Sequence, residues 1–125
     1  MRITRSRPTP SIVIVIVTGE IDATNVGELG EHLRYAISLS RRLVVVDLSH
    51  LSFLSISGLQ ALLDADAHAR QRYRALCVVV GPRCVNRLLE VCGPVDLNTA
   101  TTVAEACMSK PWIATCNRRP LRTRT

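Results

Sequence analysis

Two stretches of the chain carry apolar side chains on nearly every residue: Ile12–Val17 reads IVIVIV and Leu43–Leu48 reads LVVVDL. Alternate residues of a strand face opposite ways, so such runs need cover on both faces. The pattern predicts two interior strands, and Leu76–Val80 (LCVVV) predicts a third. Between them the period changes. Val26, Leu29, Leu33, Ala36 and Ile37 recur at helical spacing, while Glu28, Glu31, His32 and Arg34 fall elsewhere, which predicts an amphipathic helix from about Asn25 to Ser40. Asp22, Thr24 and Asn25 are its candidate caps. A second helix is expected from Ser55-Ile56-Ser57-Gly58 to about Tyr73, with Leu59, Leu62, Leu63, Ala65 and Ala69 inward and Asp64, Arg70 and Arg72 outward.

Pro82 suits the first turn of a third helix, marked by Val85, Leu88, Leu89 and Cys92 and stopped by Gly93-Pro94. Val95–Leu97 is expected as a brief strand, and Thr102-x-x-Glu105 as a capping box opening a last helix to about Met108. Residues 1–11, broken by Pro8 and Pro10, read as a lead-in or short strand. Thr18–Asp22 reads as a turn, Ser49–Leu54 as a loop, and residues 110–125 as a basic tail without periodicity. Strands alternating with helices define an α/β class with right-handed crossovers. The expectation is one domain over residues 12–109: a mixed, mostly parallel sheet of about four to five strands, with helices chiefly on one face.

Composition sharpens this picture. Aromatic residues are only 3% of the chain, so Val, Ile, Leu and Ala must build the core. The net charge of +6 suggests a polyanionic partner until it is placed along the chain. Eight of the 16 Lys and Arg residues lie in residues 1–11 and 110–125, where there is no acid. The ten acids share residues 12–109 with the other eight, so the body is slightly acidic and nucleic acid is not the expected ligand. The longest aliphatic run, Ile12–Val17, is far short of the ~20 residues of a membrane-spanning helix, and no apolar leader pattern is present. A cytoplasmic protein is expected. Cys77, Cys84, Cys92, Cys107 and Cys116 are odd in number and lack C-x-x-C spacing, which argues for free thiols over a zinc site or a disulfide framework.

Chemistry concentrates in Asp47–Leu59, where a buried strand leads through a loop into a helix. The carboxyl ends of parallel strands are where α/β sheets place their sites. Ser57 with Gln60 three residues on reads as a capping box, and a helix start tolerates a phosphate because its N–H groups are free. Ser57, His50 and Asp47 are close in sequence, yet nothing supplies an oxyanion hole, and neither phosphate-binding glycine motif is present. No enzyme, metal or cofactor is therefore expected. His32, His50 and His68 are scattered, the Arg70–Arg74 run reads as a solvated helix end, and Trp112 is a candidate anchor for the tail.

Val44–Ser49 (VVVDLS), Phe53-Leu54 and Ser55-Ile56-Ser57-Gly58-Leu59, with the earlier Gly19-Glu20-Ile21-Asp22, resemble the signature of STAS domains in anti-sigma factor antagonists. That signature runs aliphatic strand, D-L-S, apolar pair, D-S-S-G-L, and carries G-E-[LI]-D upstream. Spacing and element order match over about residues 12–108. The resemblance implies a STAS-like single domain that docks on an anti-sigma factor with serine kinase activity and so frees a sigma factor. It places the phosphorylated serine at Ser57 and the docking surface at Asp22, Thr24, Asn25, Ser55, Ile56, Ser57, Gly58 and Leu59. Ser55 stands where the family has Asp, and Ile56 where it has the first Ser. These departures leave open a second reading, an adaptor of the same fold that works in a signalling or transporter complex without phosphorylation.

Overall fold

A computed structural model of the protein describes residues 1–81 and 97–108. Strand β1 (Arg2–Thr9) pairs antiparallel with β2 (Ile12–Ile21). Helix α1 (Val26–Leu39) crosses to β3 (Leu43–Asp47), and β4 (Leu51–Leu54) leads into α2 (Ile56–Gln71). Then come β5 (Ala75–Val79), β6 (Asn98–Ala100) and α3 (Val103–Met108). Among the described residues the strands run β1-β2-β3-β5-β6, all parallel except β1, and β4 also pairs parallel with β2. The expected class is therefore observed, with β2 and β3 inside the sheet. The expected helix after Pro82, residues 95–96, the tail with Trp112, and Cys84, Cys92 and Cys116 lie outside the described residues.

The apolar runs divide between two cores. Val13, Val15 and Val17 of β2, Val44 and Val46 of β3, and Leu76 and Val78 of β5 pack under Leu29, Leu33, Ala36 and Ile37 of α1 and Leu59, Leu62, Ala65 and Ala69 of α2. Leu43, Val45, Cys77 and Val79 face the other way, beneath Ala106 of α3. So α1 and α2 share one face and the short α3 takes the opposite one. Every residue of β3 and β5 is buried, as doubly covered strands require. On β2 the second face is only partly covered, since Ile12, Ile14 and Ile16 are half-buried. Edge strand β1 carries Arg2, Arg5, Arg7 and Pro8 and is largely exposed, a composition that discourages edge-to-edge pairing. Arg5 ties it to α1, donating to His32 Nδ1 at 2.9 Å and lying 4.6 Å from the Tyr35 ring centre.

Three expectations change. The Thr18–Asp22 segment is not a turn: β2 continues to Ile21 through a bulge at Gly19, whose φ of +91° is open to glycine. There β2 exchanges β3 for β4 as its parallel partner, so the expected Ser49–Leu54 loop holds a strand. Of the brief strand expected over Val95–Leu97, Leu97 is not in a strand, and β6 starts after it at Asn98, where Asn98 and Ala100 are buried beside β5 and Asn98 Nδ2 donates to Leu76 O at 3.3 Å.

Candidate functional site

The end of β2, the turn that follows it and the start of α2 meet at the carboxyl end of the sheet. Asp22 Oδ1 accepts from the Thr24 amide at 3.0 Å and the Thr24 hydroxyl at 2.6 Å. These bonds favour the ionised form and hold the Asp22 carboxyl below its ordinary range. Asn25 precedes α1 without capping it. Its side chain turns back, accepting from the Asp22 amide at 2.9 Å and donating to Glu20 O at 3.0 Å. The expected cap candidates thus rigidify the turn instead of the helix.

The N-cap of helix α2 lies two residues earlier than its Ser57–Gln60 pair suggested. Ser55 is the N-cap: its hydroxyl accepts from the Gly58 amide at 3.0 Å, and its own amide donates to Ile21 O at 2.9 Å. The second bond places the start of α2 beside Asp22. Gln60 is not a capping partner, since its side chain donates to Asp64 Oδ1 at 3.1 Å. Gly58 explains why the register falls here. A Cβ on it would lie 2.6 Å from Leu54 Cδ1 and 2.7 Å from Ile21 Cγ2. Only a glycine at this position lets the helix seat so closely, and the cap must then sit three residues before it.

Of the eight residues expected on the docking surface, the structure exposes Thr24, Ser57 and Ile56, the last at 70%. Asp22, Asn25 and Ser55 are half-buried. Gly58 and Leu59 are buried. Phe53, part of the motif's apolar pair but not among the residues expected on the docking surface, is 48% exposed three residues before Ile56. Its place in an unrecognised strand, outward between inward Leu51 and Leu54, was the missing signal. Phe53 and Ile56 are thus exposed apolar residues within four positions of Ser57 in sequence. Among the described residues no group of His, Cys, Asp or Glu could hold a metal ion. Ser49 Oγ and His50 Nδ1 lie 3.0 Å apart, but Asp47 accepts from the Ser49 amide at 2.9 Å rather than from His50, so no relay of a catalytic triad forms.

Residues 5–106 match the STAS domain, and the chain belongs to that family. A curated relative, Osmosensory protein A of Mycobacterium tuberculosis (strain ATCC 25618 / H37Rv), is 37% identical over 75 residues, 60% of this chain. The match spans 47% of that relative, about half its length. Among solved structures, the anti-sigma factor antagonist SpoIIAA in its unphosphorylated form superposes with a TM-score of 0.69 at 19% identity, covering 85% of this chain and 93% of that one. An anti-sigma factor antagonist from Mycobacterium paratuberculosis gives 0.69 at 23% identity, covering 85% and 92%. At those identities the likeness is one of fold. No helix among the described residues is long and apolar enough to cross a membrane.

Proposed function

We propose that this STAS domain is an anti-sigma factor antagonist whose docking on a serine kinase-like anti-sigma factor is switched by phosphorylation of Ser57. The observation that carries the reading is the exposed Ser57 at the second residue of α2, flanked by exposed Ile56 and tethered through Ser55 to the Asp22–Asn25 turn. Thr24, Asn25, Phe53 and Ile56 form the docking surface on that reading, and Gly58 and Leu59 hold it in place. The named relatives of the same fold, SpoIIAA among them, are anti-sigma factor antagonists. The role is binding in the cytoplasm, with no catalysis by this chain.

A phosphate on Ser57 would leave the fold intact, because a helix start favours negative charge. It would add about −1.5 to −2 charges to a surface that already carries exposed Glu20 and ionised Asp22. Docking of the apolar Ile56 would then require stripping water from a dianion beside it. One observation favours the adaptor reading: Ser55 caps without the charge of the family's Asp, and Ile56 makes the surface more apolar. Incubation of the full chain with a candidate anti-sigma kinase and ATP, followed by phosphopeptide mapping, separates the two. Phosphate on Ser57, lost in Ser57→Ala, supports the switch. Tight complex formation with no phosphate transferred to Ser57 supports the adaptor.

A further inference from the structure

The charge count along the chain hides a segregation that the fold turns into two poles. Residues 20–33 and 47–66 carry seven acids and no Lys or Arg, while residues 1–19, 34–46 and 67–81 carry nine arginines and no acid. Most of the first set lies toward the carboxyl end of the sheet, where Ser57 is, while Asp66, farther along α2, pairs with Arg70 at 3.1 Å. The second supplies edge strand β1 and, at the opposite rim, the starts of β3 and β5 and the ends of α1 and α2.

Hydrogen bonds join that rim into a row. The Arg7 guanidinium donates to Pro10 O at 3.3 Å in the β1–β2 turn, and the next carbonyl, Ser11 O, accepts from the Arg42 amide at 3.1 Å. Arg42 O in turn accepts from the Ala75 amide at 2.7 Å, which brings Arg72-Tyr73-Arg74 alongside Arg41-Arg42. Neighbouring strands are ~4.8 Å apart, so the row is roughly 10 Å long. Arg7, Arg41, Arg42 and Arg72 are exposed. Capping the helices does not account for them. Among the described residues Arg74 meets the C-cap carbonyls, donating to Ser40 O at 2.8 Å and to Arg72 O at 2.5 Å, while Arg72 Nε donates to His68 Nε2 at 3.2 Å.

Tyr73 stands within the row. It occupies the position after the α2 C-cap with φ +62°, closing a turn in which its amide donates to Arg70 O and that of Arg74 to Ala69 O. Glycine is favoured there, and a tyrosine at this φ is strained. The ring receives no packing in exchange, being 87% exposed.

We propose that this amino-terminal rim of the sheet binds a single-stranded polynucleotide, the arginines pairing with successive phosphates and Tyr73 stacking on a base. Arginine forks match phosphate oxygens bidentately, and an exposed aromatic between arginines is a stacking platform that tolerates any base. The ring decides for a polynucleotide over an acidic protein segment, which offers carboxylates but no base to stack. This site is at the opposite end of the sheet from Ser57 and does not depend on the switch.

The test is fluorescence anisotropy of labelled 15-nucleotide oligo-dT and oligo-U with the full chain at two salt concentrations. Poly-glutamate and anionic phosphatidylglycerol vesicles serve as competitors. Tyr73→Gly relieves the strained turn, so the fold persists, and the dissociation constant should rise about fivefold or more. Arg41→Gln/Arg42→Gln should weaken binding at least tenfold. It should also flatten the dependence of log affinity on log salt by about 1.4, the slope of two phosphate contacts. Ser57→Glu should bind as wild type does. Binding of either oligonucleotide, or of both, supports the site. Wild-type affinity in both rim variants would assign any binding to the basic tail and overturn the proposal. So would stronger competition by poly-glutamate or vesicles than by unlabelled oligonucleotide, or no binding at all.

Discussion

Replacing Ser55 with alanine removes the side-chain acceptor of the Gly58 amide while leaving the backbone bond from Ser55 N–H to Ile21 O in place. Ser55 is half-buried, so water only partly replaces the lost acceptor. Loss of such a cap costs about 0.5–2 kcal/mol, and the mid-range of about 1 kcal/mol fits this environment. In a domain of this size that lowers Tm by about 3–5 °C. Ser57→Ala deletes an exposed hydroxyl that caps nothing, so its cost should stay within about 0.5 kcal/mol. Ser55→Asp keeps the acceptor and adds a charge favoured at a helix start, worth about 0.3–1 kcal/mol; it should match or exceed wild type. Urea melts followed by far-UV circular dichroism, with unchanged m values, give the three differences. A larger loss in Ser57→Ala than in Ser55→Ala would refute the placement of the cap and with it the solvent-facing position of Ser57.

Other consequences can be measured on the same protein. Gly58→Ala should destabilise by about 1–3 kcal/mol despite the better helix propensity of alanine, because its Cβ meets Leu54 and Ile21; chemical denaturation would show it, and a stabilised variant would contradict the packing. Val45→Asp puts a charge into a site with no exposure and should unfold or aggregate the chain; an unchanged Tm would contradict a buried β3. The Cys77 thiol is pushed up to about 12, by burial first and then by Glu105 and Cys107. It should resist iodoacetamide at pH 8 until the protein unfolds, and rapid native labelling of Cys77 by mass spectrometry would contradict that. Because the folded value is raised, this thiol's contribution to stability is whole below its ordinary value of 9.0 and declines as pH rises toward 12. The Asp22 carboxyl is lowered, so the Asp22–Thr24 bonds should persist at neutral pH and break only on acidification below the ordinary carboxylate range. NMR titration of the Thr24 amide reads this, and a change near pH 6 would contradict it.

The parts of the fold visible in the sequence are those where one short-range signal decides. Val44 and Val46 alternate with Leu43 and Val45, and either face of β3 must be covered. Leu29, Leu33, Ala36 and Ile37 mark one side of α1. Strand β4 was not visible, because Leu51–Leu54 is too short to show a period and exists through its pairing with Gly19–Ile21. The cap was misplaced because Ser55 and Ser57 both offer a hydroxyl. What decides between them is Gly58 against Leu54 and Ile21, a tertiary contact. Ser57 stood out as a candidate through its resemblance to a family motif, and its exposure could only come from the structure. Where the arginines fall on the fold was not visible in the net charge, because Arg41-Arg42 and Arg72-Tyr73-Arg74 come to one rim only when β3 and β5 are laid side by side.

Calorimetric titration of an anti-sigma factor from the same organism with three forms of this chain tests the central claim most directly. The forms are the unmodified protein, the protein phosphorylated on Ser57, and Ser57→Glu, each first shown to be folded. The unmodified chain should bind, and both charged forms should bind at least tenfold more weakly, a difference of about 1.4 kcal/mol. Equal affinity for all three would contradict control at Ser57 and leave a constitutive STAS adaptor.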